Sequence, residues 1–86
     1  MNLYKISQNV NEYYDTYDSA IVAAESERIA RKIHPGARYS EKNGKLRLEY
    51  IAENTWCEFK YVQVQLIGVA CEGTKRGVIL ASYNAG

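Results

Sequence analysis

The segment from Tyr13 to Asp18, YYDTYD, carries the side chains of this sequence that are best suited to chemistry. Asp15 and Asp18 lie close together along the chain, and two neighbouring carboxylates can bind a divalent metal ion or transfer protons. Asp18 also directly precedes an apolar run typical of a strand, where its side chain would instead hold a turn. We therefore favour a turn over a catalytic or metal site, and an enzyme is the least favoured interpretation of the chain.

The single histidine, His34, and the two cysteines, Cys57 and Cys71, are the other candidate metal ligands. The cysteines form no C-x-x-C pair of the kind that structural zinc sites use. His34 lies at the C-terminal end of a predicted helix, where a partial positive charge is favourable. Both cysteines are interpreted as small core residues. These patterns predict neither a metal ion nor another cofactor.

Three tyrosines of the same segment, Tyr13, Tyr14 and Tyr17, are candidates for a contact surface. Strand-like alternation cannot bury all three rings on one side. Tyrosine combines rigid contact area with a hydrogen-bonding hydroxyl, which is typical of protein interfaces, and its ring can also stack on a nucleotide base. Together with Asp15 they are predicted to contact a partner. The alternative is that two of the rings cover the end of a sheet.

A basic cluster follows, formed by Arg28, Arg31, Lys32 and Arg38, with His34 among them. Most of these residues fall on, or just beyond, one face of a predicted helix. A solvated face with cations near the helix C-terminus explains them simply. The functional alternative is a local anion site for an acidic protein, a guide-RNA backbone or a nucleotide phosphate. The predicted partner-binding residues are therefore Tyr13, Tyr14, Asp15, Tyr17, Arg28, Arg31, Lys32 and Arg38.

Length and composition limit the class of protein. The 86 residues predict one domain, spanning 1–86, with a net charge of +1. A general nucleic-acid binder would carry a clear basic excess, so this balance argues against one. The N-terminal residues lack the apolar core of a signal peptide, and no apolar run is long enough for a membrane span. We expect a cytoplasmic protein with reduced thiols. The sequence allows either a monomer or a homo-oligomer.

The elements that must position these residues are mostly strands. The run SAIVAA within Asp18–Ala24 is apolar on both faces and predicts a central strand. Ser26 is a favourable N-cap for a short helix over about residues 26–34, and Asn43-Gly44 predicts a hairpin within residues 37–52. Alternation predicts a strand from Tyr61 to Val69 with Val62, Val64 and Leu66 inward. Further strands are predicted at Leu3–Gln8 and Val78–Tyr83.

These elements predict an α+β fold. A single antiparallel or mixed sheet of five to six strands would carry the short helix on one face.

The stretch from Tyr14 to Pro35, YDTYDSAIVAAES…ARKIHP, resembles a recurrent family of short phage and prophage proteins. The similarity returns at VQVQLIGVA (Val62 to Ala70) and GVILASYNAG (Gly77 to Gly86), and so covers roughly half of the chain. The residues from Gly36 to Phe59 depart from the family. The resemblance implies a phage accessory protein and assigns no residue a role. The order of strand, A-E-S, short helix and strands is also similar in architecture to small β-α-β anti-CRISPR proteins, although a fold does not give a function.

The leading hypothesis is a non-enzymatic, phage-encoded binding protein that acts as an anti-defence inhibitor, like an anti-CRISPR protein. It would contact a host defence protein or ribonucleoprotein complex in the cytoplasm of the bacterial host. One alternative is an oligomeric sponge for a signalling nucleotide, in which tyrosines stack on bases and arginines pair with phosphates. Another is a phage structural or regulatory protein.

Overall fold

The computed structural model describes residues 1–84, with the backbone alone at Glu41 and Leu46. Over this range the chain forms strands, one α-helix and a short 3-10 turn at Phe59–Tyr61. In chain order the elements are β1 (Asn2–Ser7), β2 (Thr16–Ala24), α1 (Glu27–Arg31), β3 (Ala37–Lys42), β4 (Lys45–Ile51), β5 (Gln63–Val69) and β6 (Gly77–Asn84).

The strands form two antiparallel sheets, one of four strands in the order β5-β1-β2-β6 and one made of β3 and β4. The α+β class is confirmed, whereas the prediction of a single sheet of five to six strands is wrong. The Asn43-Gly44 turn has positive φ angles of 54° and 74° and closes β3 onto β4. Neither strand of this hairpin pairs with the four-stranded sheet. A bond from the Ala52 N–H to the Gly36 carbonyl (2.9 Å) closes its base.

The hydrophobic core lies against one face of the four-stranded sheet. Tyr4 and Ile6 of β1 and Val22 of β2 form its centre. The other buried members are Ala20, Ala24, Ala30, Ile33, Trp56 and Val62. As predicted, β2 is an inner strand of the sheet, and its alanines leave room for α1 to approach closely. The opposite face is more exposed, since Lys5, Gln65 and Leu80 lie on it and are all exposed, although Ala23 at its centre is buried.

Helix α1 begins as predicted and ends earlier than predicted. The Ser26 hydroxyl accepts a hydrogen bond from the Ile29 N–H at 3.3 Å and caps the helix. The last helical residue is Arg31, not residue 34. Pro35 disfavours helical geometry at the residue before it, and Ile33 turns into the core instead. A helix of this length depends on packing for its stability, and within residues 1–84 no helix is long and apolar enough to cross a membrane.

His34 corrects the expectation of a positive charge at the helix end. Its Nδ1 atom accepts a hydrogen bond from the Gly36 N–H at 2.9 Å, so the ring is an acceptor at this atom. Burial lowers the pKa of His34, against a smaller opposing interaction with the backbone. The neutral imidazole is therefore the form that the fold favours. Gly36 is required here, because an added Cβ would lie 2.6 Å from Thr55 Oγ1.

This environment predicts a pH-dependent stability. Because the folded chain holds the pKa of His34 below its ordinary value of 6.5, the unfolded chain binds the proton more tightly. The neutral His34 ring contributes fully to the free energy of unfolding when the pH is above the pKa of this ring in the unfolded chain. That contribution is lost as the pH falls through the pKa of the ring in the folded chain. His34→Asn keeps an acceptor near Nδ1 and cannot take up that proton, so it should remove this loss. Urea unfolding at about pH 7.5 and about pH 5.5 measures the difference; an unchanged pH slope in the variant would assign the titration to another group.

Because the core lies on one face of the sheet, a substitution of the fully buried Ile6 should strongly lower the stability of the fold. Ile6→Ala should lower the free energy of unfolding by about 2–5 kcal/mol, since it removes buried methylenes and leaves a cavity. The matched control is Ile67→Ala on β5, where the side chain is 47% exposed and the loss should stay below about 1 kcal/mol. Equal urea midpoints for the two variants would contradict the placement of the core.

Candidate functional site

Residues 9–15, here called the tyrosine loop, join β1 to β2 at one end of the sheet. The buried side chain of Gln8 organises this loop. Its Nε2 donates to the carbonyls of Asn11 (2.7 Å) and Tyr17 (2.8 Å). Its Oε1 accepts from the N–H groups of Val10 (3.0 Å) and Asn11 (2.8 Å). One amide thus satisfies four backbone groups and fixes the path of the loop.

Further bonds tie the tyrosine loop to the body of the protein. The Asn11 side chain donates to the carbonyls of Asn54 and Trp56, both at 3.1 Å. The Asp15 N–H donates to the Asn84 carbonyl at 2.6 Å, with Asp15 in the left-handed region at φ 62°. Thr16, which is buried, donates its hydroxyl to the Tyr13 carbonyl at 2.6 Å. The loop is therefore an ordered structure.

The three tyrosines of this region have different environments. Tyr13 and Tyr14 are 79% and 74% exposed, so both rings project from a fixed backbone. Tyr17 is half-buried, packs against the core and lies 4.9 Å, centroid to centroid, from the ring of Tyr83 on β6. The structure therefore leaves Tyr13 and Tyr14 exposed, while Tyr17 covers the sheet. Their contact with a partner stays a prediction.

Asp15 has a partner that sequence reasoning missed. The Tyr83 hydroxyl donates to Asp15 Oδ1 at 3.3 Å. The pKa of Tyr83 is raised by desolvation, by the Asp15 charge and by this hydrogen bond, so the hydroxyl stays a donor. Tyr83 lies far from Asp15 in sequence, and the pairing became visible only through the register that sets Tyr17 opposite Tyr83.

The other candidate ligands do not converge on a metal site. Asp18 lies at a register shift of β2 and is exposed. Cys57 packs against the core, and burial raises the pKa of its thiol. Cys71 is exposed, so its interpretation as a core residue is wrong. Among the residues that the structure describes, no group of three or more His, Cys, Asp or Glu side chains is arranged to hold a metal ion.

The predicted basic cluster is divided by the fold. Arg31 donates to the Val62 carbonyl and to Glu27 at 3.3 Å, so its guanidinium ties α1 to the start of β5. The Lys32 ammonium lies 5.8 Å from the centroid of the Phe59 ring. Arg28 is exposed on the helix. Arg38 belongs to the hairpin, opposite Tyr50, and thus to a different element from the helical cations.

A groove between α1 and the hairpin combines apolar walls with this basic rim. A section of about 400 Å³ is lined by Ile33, Tyr39 and Leu48, with Lys32 at its edge. A neighbouring section of about 310 Å³ continues towards Trp56 and Phe59. Sequence alternation placed Leu48 on one side of β4, but it contained no sign that this side would face the helix. We name this feature the basic groove.

The 52–59 connection is the structural link between the tyrosine loop and the basic groove. The Thr55 carbonyl accepts from the Tyr17 N–H at 2.8 Å, and the Trp56 carbonyl accepts from Asn11. The Trp56 side chain then lines the groove. No hydrogen bond, ion pair or ring contact described within residues 1–84 joins the tyrosine loop directly to Arg28, Arg31 or Lys32.

Comparisons of the chain with protein-family models, curated proteins and solved structures found no match. The resemblance to phage proteins stays a prediction. In its last stretch, GVILASYNAG, residues 77–84 form β6, and Ala85 and Gly86 lie outside the described residues.

The role of Gln8 can be tested by removing its amide. Gln8→Ala should lower the free energy of unfolding by about 1–3 kcal/mol, because it leaves backbone groups without partners at a partly buried position. The same variant should have a looser tyrosine loop, so that chymotrypsin cleaves it after Tyr13 or Tyr14 in the absence of denaturant. The control is Gln63→Ala, at an exposed glutamine of β5. A tyrosine loop that resists cleavage equally in both variants would show that Gln8 does not hold it.

Proposed function

We propose that this chain is a non-enzymatic, phage-encoded binding protein that inhibits a host defence complex by protein–protein contact in the bacterial cytoplasm. The observation that carries the proposal is the pair of exposed rings, Tyr13 and Tyr14, on a loop whose backbone is fixed. Exposed aromatic side chains are the residue types that most often dominate binding energy at interfaces. A fixed loop also pays little conformational entropy when it binds.

The charge around the two rings indicates the kind of partner surface. Glu12, Asp15 and Asp18 are all exposed, and the chain has no lysine or arginine from Ile6 to Glu27. An aromatic surface with this acidic setting complements a basic protein surface. Proteins that hold nucleic acids present such surfaces, so a ribonucleoprotein defence complex fits the charge pattern.

The basic groove supplies a second candidate contact in the same proposal. Lys32 lines the groove and Arg28 is exposed on the neighbouring helical face. Arg31 is excluded from the main contact set, because its guanidinium is occupied by the Val62 carbonyl and Glu27. The tyrosine loop remains the primary surface, since its two rings are the most exposed aromatic side chains within residues 1–84 and hydrogen bonds fix its backbone.

The proposal is tested by capturing a defence complex from host lysate on the tagged protein and comparing two double variants. Tyr13→Ala with Tyr14→Ala should weaken the captured complex by about 30-fold or more, the effect of losing about 2 kcal/mol at a hot spot. Tyr50→Ala with Tyr61→Ala, which removes exposed rings elsewhere, is the matched control. Binding should also weaken as salt is raised, because acidic groups contribute.

A functional readout must accompany this capture. The wild type and the control should block the activity of the purified defence complex, and the Tyr13/Tyr14 variant should not. Equal inhibition by all three proteins would remove the tyrosine loop from the proposal, and a wild type that neither binds nor inhibits any defence complex would refute the function itself.

A further inference from the structure

Strand β6 forms an unprotected edge of the four-stranded sheet. It pairs with β2 on one side, and no described strand pairs with its other side. Soluble proteins usually protect such edges with charged residues, proline or a covering element. The strand GVILASYN contains neither a charged residue nor proline, and Ile79 and Leu80 are 54% and 68% exposed. A second strand would find both backbone partners and apolar side chains here.

The surface area of the chain is consistent with a missing partner. A compact monomer of 9.8 kDa is expected to expose about 5,200 Å². This chain exposes 6116 Å², an excess of roughly 900 Å² over that expectation. A standard protein interface buries about 800 Å² on each partner. The excess is therefore of the size that one protomer contributes to a stable dimer.

The other edge strand, β5, is less suited to pairing with a second copy. Helix α1 packs beside it, with Arg31 bonded to the Val62 carbonyl just before the strand begins. Lys60 also precedes this strand closely. A packed helix and nearby basic groups are among the features that protect an edge strand against pairing.

The two ends of β6, by contrast, carry opposite charges. At the start of the strand, Glu25 pairs with the Arg76 guanidinium through Nε and Nη2 at 2.9–3.0 Å. The surface beside this end also carries Arg38, Lys45 and Lys75, so its charge stays basic overall. At the other end the Asp15 N–H is bonded to the Asn84 carbonyl. An antiparallel β6–β6 pair would bring the Asp15 end of one copy to the Arg76 end of the other, twice over. The edge is thus self-complementary.

We propose that a second copy of this chain binds along β6, antiparallel to it, and joins the two four-stranded sheets into one of eight strands. The contact is isologous and closes after two copies. The contact is built on the edge of β6 and not on Tyr13 or Tyr14, so the dimer does not depend on the proposed inhibitory function.

Sedimentation velocity of the full chain over a concentration series tests the proposal. The wild type should reach twice the monomer mass of 9.8 kDa. Leu80→Lys, which places like charges near the two-fold axis, should raise the dimer Kd by about tenfold or more. The matched control is Leu66→Lys on β5, which alters a leucine of similar exposure, 60% against 68%, and should leave the Kd unchanged.

Hydrogen exchange of the wild type provides a second readout that needs no variant. Amides of β6 should gain protection as the concentration rises, and those of β5 should not, even if Leu80→Lys fails to fold by circular dichroism. A monomer at every concentration, a dimer broken by Leu66→Lys but not by Leu80→Lys, assemblies that grow beyond two copies, or concentration-dependent protection on β5 alone would each overturn the proposal.

Discussion

A four-stranded sheet has two faces, and this chain covers only one of them. Helix α1 and Trp56 close the face that carries Tyr4, Ile6 and Val22, and these residues form the core. The hairpin could have served as a second layer, but it pairs with itself and stands apart. A domain of this size already buries a smaller fraction of its surface than a larger one does. Exposed apolar side chains on the edges follow directly from this shortage of covering elements.

The signals that act over a few residues were readable in the sequence. The Ser26 cap, the Asn43-Gly44 turn and the inner position of β2 were all predicted, since each depends on local backbone chemistry or a short apolar run. The separation of the hairpin was not predicted, because alternation along a strand does not indicate which strand it will pair with. Leu66 shows the same limit: it continues the pattern of Val62, which is buried, but is exposed because the short helix leaves that part of the edge strand uncovered.

In the candidate site, too, features with local causes could be predicted from the sequence, and features that depend on long-range contacts could not. The exposure of Tyr13 and Tyr14 was one of two expectations, because strand-like alternation cannot bury all three tyrosine rings on one side. Gln8 was missed, since a glutamine becomes an organising residue only when four backbone groups converge on its amide. The contacts of Arg31 within the chain were missed for the complementary reason. Its charge suggested a surface contact, but a carbonyl distant in sequence occupies the guanidinium.

The division between sheet and hairpin also bears on how a binding surface could change over time. Residues 37–51 add nothing to the core, yet Tyr39 and Leu48 form one wall of the basic groove. Substitutions there would reshape the groove at little cost in stability. The tyrosine loop has no such freedom, because its path depends on the buried Gln8 and on β2. A fixed contact loop beside a variable groove would let one scaffold keep its mode of attachment while its partner's surface changes.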